Sequence, residues 1–141
     1  MIIENKIRKE LNLDFPEVPD PVAEYIPAKK CDNLVFSSGQ GPIKNGEYQY
    51  IGRVGKEVSL EDGYKAARIC TLNALAAIKT VIGDLDNIEE IIKVKGYVNS
   101  EMNFTKQPQV INGASELLVE IFGEKGRHSR SALGTSVLPD N

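Results

Sequence analysis

Between Ser59 and Gly83 runs one long amphipathic segment, and no other stretch restricts the fold as much. Ser59 stands ahead of Leu60-Glu61-Asp62-Gly63, a hydroxyl cap before an acidic first turn that suits the positive end of a helix dipole. Tyr64, Ala67, Thr71, Ala74 and Ile78 then share one face, broadened by Ile69, Leu72, Leu75 or Ala76, and Ile82. The pattern predicts a core helix ending at Gly83. Its alanines (Ala66, Ala67, Ala74, Ala76, Ala77) permit close approach to a sheet, and Cys70 reads as a small buried hydrophobe rather than a reactive thiol.

The flanking segments supply the other layer. Ile3, Ile7 and Leu11 recur at helical spacing among charged residues and predict a short amino-terminal helix lying on the surface of the fold. Phe15 to Pro21 carries three prolines and reads as a connector, so residues 1–21 precede a domain spanning 22–141. Val22 to Ala28 and Asn33 to Ser38 read as strands around a turn at Lys29-Lys30-Cys31-Asp32. Gly39-Gln40-Gly41-Pro42 resembles a phosphate loop only superficially, because no helix start follows it. Asn45-Gly46 is instead a hairpin signal, with Tyr48 to Val54 as a short strand beyond it. Ile88 to Val98 alternates with a period of two: Ile92, Val94, Gly96 and Val98 on one side, Ile91, Lys93, Lys95 and Tyr97 on the other. A second helix runs from near Phe104 or Pro108 to Phe122, with Ile111, Ala114, Leu118 and Ile121 inward and Gly123 at its end. Arg130 to Val137 is the last strand. The order predicts an α+β layer, two helices on one face of a mixed sheet. Ala132, Gly134 and Ser136 alternating with Ser131, Leu133, Thr135 and Val137 imply that the other face is also partly covered, and with only two long helices self-association is the expected cover.

Chemistry concentrates near the end. Arg127, the lone His128 and Arg130 fall within four positions at the start of the last strand, a natural place for a cation that grips a small carboxylate. The sequence then stops at Leu138-Pro139-Asp140-Asn141, so either a further element follows or the fold closes another way. A formal charge of −3 argues against a broad phosphate-binding surface. Cys31, Cys70 and one histidine do not make a zinc site by themselves, so no structural metal is expected. No apolar run reaches membrane length and the first residues lack a signal-peptide core, which predicts a soluble, cytoplasmic protein.

Four segments in order carry a resemblance: Leu34-Val35-Phe36-Ser37-Ser38-Gly39-Gln40-Gly41-Pro42; Ala66-Ala67-Arg68 with Leu72-Asn73-Ala74-Leu75; Val94-Lys95-Gly96-Tyr97-Val98-Asn99; and Arg130-Ser131-Ala132 with Leu138-Pro139. From Val22 to Pro139 the chain resembles the RidA/YjgF family of reactive-intermediate deaminases, also called the L-PSP endoribonuclease family. The amino-terminal helix, Ile111-Asn112-Gly113-Ala114-Ser115 and Gly126-Arg127-His128 are similar to a RidA-like branch rather than the archetypal deaminase. The resemblance implies a chorismate-mutase-like subunit, a homotrimer with active sites in clefts between subunits, and cofactor-free hydrolysis of enamines and imines such as 2-iminopropanoate to 2-oxo acids and ammonia. It implies that Arg130 is the catalytic arginine that binds the substrate carboxylate and that the backbone of Ala132 meets the substrate nitrogen. It further implies that Tyr25, Ser38, Gly39 and Asn112 line the cleft. In the family a strand after Leu-Pro brings a water-positioning carboxylate. This sequence stops before it, so hydrolysis calls for Glu24, Glu120, Glu124 or a carboxylate of another subunit.

Three functions are therefore distinguished: an imine hydrolase, a non-catalytic protein binding small carboxylate metabolites in the same cleft, and, least favoured by the acidic charge, a ribonuclease. His128 is read as structural or interfacial because no nucleophile signature accompanies it. Ser38 lacks a nucleophile elbow and is read as a hydrogen-bonding residue, and Tyr25 and Tyr97 as amphipathic interface contacts.

Overall fold

The computed structural model describes residues 1–18, 21 and 23–140; Pro19 and Asp20 of the connector, Val22 of the expected first strand, and Asn141 lie outside the described residues. Helix α1 (Ile2–Asn5) widens into a π-helical turn over Lys6–Glu10. Its stripe turns inward as expected. Ile7 is fully buried and Ile3 and Leu11 pack beside it, in a cluster that also holds Phe15, Leu72, Leu75, Leu117 and Ile121.

The first hairpin is displaced from its expected place. Strands β1 (Ala28–Cys31) and β2 (Leu34–Ser37) pair antiparallel, Ala28 opposite Ser37, around a turn at Asp32-Asn33. The segment expected as a strand before Ala28 contains Pro27, which has no amide to give a ladder, and Tyr25 N closes a local turn on Ala23 O. Asp32, at φ 49°, supplies the left-handed residue that lets the tighter turn form. Strands β3 (Ile43–Lys44) and β4 (Glu47–Tyr48) flank Asn45-Gly46, both at positive φ, as the dipeptide predicts. The expected strand from Tyr48 to Val54 ends at its first residue, because Tyr50 at φ 59° and Gly52 at φ 128° break the extended course.

Helix α2 (Leu60–Ile82) begins where Ser59 Oγ accepts the Asp62 amide at 3.0 Å and ends on Gly83 at φ 81°. Its buried stripe is Gly63, Ala67, Thr71, Leu72, Leu75, Ala76 and Ala77. Tyr64, Ala74 and Ile78 lie half-buried on its flanks rather than at its centre. A 3-10 turn over Leu85–Asn87 follows, and strand β5 (Lys93–Asn99) begins later than the expected Ile88. Before it, Ile91 N bonds Lys125 O, a loop contact outside any ladder, and Ile92 is exposed instead of inward. From Val94 on the alternation holds: Gly96 and Val98 are buried, Lys95 and Tyr97 exposed. Helix α3 (Gln107–Phe122) stops at Gly123, φ 64°, and a 3-10 turn over Gly123–Gly126 leads into β6 (Ser129–Thr135), shorter than expected at its far end.

Strand β6 runs parallel to β5, Lys93 opposite Ser129 through Asn99 opposite Thr135. The architecture is mixed α+β: α2 and α3 pack together, α2 carries the β1–β2 hairpin, and α3 carries β5–β6. Among the described residues the ladders form three two-stranded pieces, two antiparallel and one parallel. A second apolar cluster, Val54, Val58, Ala67, Val98, Val110, Ile111 and Ala114, fills the space between the helices and β5. None of the described helices is long and apolar enough to cross a membrane.

Candidate functional site

Strand β6 leaves the 3-10 turn beside α3, so residues on its inner side meet that helix. Arg130 and Ala132, two apart, share this side. Ala132 packs at the edge of the second cluster, which contains Ile111. Arg130 Nη1 donates to Asn112 Oδ1 at 2.8 Å and to Ser115 Oγ at 3.2 Å. Asn112 and Ser115 are three apart on α3 and therefore neighbours on one face. Ser115 Oγ lies 2.9 Å from His128 Nε2, and His128 Nδ1 lies 2.6 Å from Gly126 O. A carbonyl only accepts, so Nδ1 carries the proton, and in neutral His128 Nε2 accepts the Ser115 hydroxyl.

Among the described residues no carboxylate forms an ion pair with Arg130, and its Nε and Nη2 groups make no hydrogen bond. A half-buried cation with its inner nitrogen satisfied and a vacant two-donor edge is suited to a carboxylate.

The other expected residues stand elsewhere. Tyr25 and Ser38 line a shallow depression with Glu24, Ile26 and Phe36. Ser38 Oγ donates to Ile26 O at 2.6 Å and its amide to Pro27 O at 2.7 Å, so this serine is a brace for the hairpin entry. Gly39 opens the following loop, and Asn73 on α2 clamps that loop, its Nδ2 donating to Gly41 O and Ile43 O, each at 2.9 Å. Arg130, Asn112 and Ala132 do not line the depression, and no hydrogen bond links them to it among the described residues. The residues thus fall into two separate groups, Arg130–Asn112 and Tyr25–Ser38.

Two of the three replacement carboxylates are otherwise engaged. Glu120 takes both terminal nitrogens of Arg68, at 3.2 and 3.3 Å, and Glu124 takes Arg127 Nε at 3.0 Å. Glu24 lines the depression beside Tyr25. Cys70 is half-buried, and burial pushes its thiol up to about 12, far from thiolate chemistry. Among the described residues no three metal-ligating side chains converge.

Ser115 and Asn73 escaped the sequence reading as functional residues. Spacing alone carried a signal for Ser115, since a polar residue three beyond Asn112 must share its helix face. Nothing local pointed to Asn73, whose partners are 30 and 32 residues away.

Known proteins are similar to this chain along nearly its whole length. A curated relative, Protein TCP17 of Trypanosoma cruzi, is 33% identical over 132 residues, covering 93% of this chain and 82% of its own length. A solved protein of unknown function from Agrobacterium tumefaciens is 40% identical with a TM-score of 0.90, covering 98% of this chain and 84% of that one. A solved protein described as a putative endoribonuclease, from Shewanella oneidensis MR-1, is 36% identical with a TM-score of 0.92, covering 97% of this chain and 90% of that one. Residues 7–141 match the family described as YjgF/chorismate mutase-like, putative endoribonuclease, and the chain belongs to that family.

Proposed function

We propose that the protein hydrolyses small 2-imino acids, water adding to the imine carbon and ammonia leaving to give the 2-oxo acid, in clefts between the subunits of a homotrimer. The observation that carries this is Arg130, held by Asn112 and Ser115 at Nη1 with a free Nε–Nη2 edge. A carboxylate on that edge places the adjacent imine carbon at a fixed distance from the protein, and a protonated imine is already electrophilic. Contact between subunits would bring the Tyr25–Ser38 depression of one protomer to Arg130 of its partner. Glu24, in the same depression, is then the carboxylate assigned to the attacking water.

The test couples the protein to an amino-acid oxidase and follows imine decay. Wild type should speed decay, and Arg130→Ala should lose about 100-fold in kcat/KM, the worth of two hydrogen bonds to a charged group. Decay no faster than in buffer sinks the hydrolase reading.

A second reading, a non-catalytic binder of small carboxylates, draws on the same free edge and on the neutral hydrogen-bonding partners around Nη1. Calorimetric binding of 2-oxobutanoate without imine decay favours it, and no binding at millimolar ligand rules it out. RNA cleavage that persists through purification and requires Arg130 would favour a ribonuclease instead, the activity in the description of the Shewanella protein.

A further inference from the structure

We infer that Ser115 and His128 are positioning residues for Arg130, and that their hydrogen-bonded chain decides which edge of the guanidinium meets the ligand. The inference rests on the reading of Arg130 as a carboxylate anchor and extends it to residues that touch no ligand. Arg130 can only donate and Gly126 O can only accept, so with neutral His128 the chain has one direction: Arg130 Nη1 to Ser115 Oγ, Ser115 hydroxyl to His128 Nε2, His128 Nδ1 to Gly126 O. Bonds aligned in this way polarise one another.

Each member has a separate task. Asn112 alone would hold one N–H of Nη1 and leave the planar group free to pivot about that contact. The Ser115 bond engages the same nitrogen a second time, fixing the plane and leaving Nε and Nη2 as the available fork. A serine hydroxyl rotates unless its proton is claimed. His128 Nε2 claims it, which turns an oxygen lone pair toward Arg130. The ring is itself oriented by Gly126 O, a carbonyl of a buried glycine with Leu118 O 2.2 Å from where its Cβ would stand, so the backbone at that end cannot drift. His128 thus acts on Arg130 from two hydrogen bonds away.

The isosteres of histidine separate this role from simple packing. Glutamine places a polar atom where Nε2 stands and can accept from Ser115, whereas asparagine reproduces only Nδ1 and its bond to Gly126 O. In ligand-free protein, nitrogen-15 NMR of the Arg130 side chain should show slow exchange between its two Nη groups in wild type and His128→Gln. Fast exchange is expected in Ser115→Ala and His128→Asn. The dissociation constant for 2-oxobutanoate should rise about tenfold in Ser115→Ala and His128→Asn, as for loss of one hydrogen bond to a charged group, and stay within about twofold in His128→Gln. Unfolding midpoints measured alongside should not separate His128→Asn from His128→Gln. Equal exchange and equal affinity in the Asn and Gln variants, or a Ser115→Ala protein indistinguishable from wild type, overturns the inference. Should wild type fail to bind 2-oxobutanoate, the carboxylate reading falls and the exchange rates alone decide the relay: slow only in wild type and His128→Gln upholds it, equal in all four overturns it.

Discussion

Gly113 shows at the level of one residue why α2 and α3 lie so close. A Cβ there would stand 2.2 Å from Tyr64 O, a backbone atom that cannot rotate away. Gly113→Ala should therefore force the helices apart and cost about 1–3 kcal/mol or more, read as a lowered denaturation midpoint. An unchanged midpoint would show that the helices can separate freely. Asn112 and Ser115 lie on either side of this glycine in the sequence, so the same substitution should weaken carboxylate binding by moving both partners of Arg130. Arg130 itself was legible as a cation in an otherwise small-residue strand. Its two partners were not both legible, since a side chain 15 or 18 residues distant is chosen by how strand and helix pack.

Among the elements, α1 is held in place by a distant loop. The Met1 ammonium reaches Asp84 Oδ2 at 2.5 Å and Asp86 Oδ2 at 2.7 Å, and the Ile2 and Ile3 amides donate to Asp86 at 2.9 and 2.8 Å. Asp86 therefore caps a helix more than eighty residues away. The Met1 ammonium first, and then the Ile3 and Ile2 amides, hold the Asp86 carboxyl at about 2, below its ordinary 3.8. A folded-state value below the unfolded one stabilises at pH above the unfolded value, and that contribution disappears as pH falls through the folded one. The stability gap between wild type and Asp86→Asn should accordingly be full near neutrality, shrink below about pH 4 and vanish near about pH 2. Thermal unfolding across that range checks it, and a gap that does not change with pH contradicts the capping role. The strands show the reverse dependence on local chemistry. Asn45-Gly46 fixed its own hairpin, whereas β1 slid toward Cys31 because Pro27 and the left-handed Asp32 outweighed the apolar run that suggested an earlier start.

For the molecule as a whole, the outward sides of the strands are the conspicuous surface. Phe36 is 61% exposed, Tyr97 58% and Leu133 55%, the last two directly paired across β5 and β6. Such side chains favour burial against other copies of the chain. Sedimentation should give three times the 15.5 kDa chain mass, and Phe36→Lys with Leu133→Lys should dissociate the assembly. On the proposed shared cleft, imine hydrolysis should fall with it, because the Tyr25–Ser38 and Arg130–Asn112 groups would part. A monomeric wild type that still hydrolyses imines would refute the shared cleft.

The α2 helix with its serine cap and glycine stop, the Asn-Gly hairpin, the alternation of β5 beyond Val94 and the arginine of β6 were all determined by the sequence itself. Each is an energy confined to a few neighbouring residues: a cap, a left-handed turn, a repeat that puts apolar groups on one side. Only the tertiary structure decided that Asp86 anchors α1, that His128 reaches Arg130 through Ser115, and that Tyr25 and Ser38 stand apart from them. Those outcomes depend on contacts between segments far apart in the chain, whose worth is set by how the layers pack and by no short stretch alone.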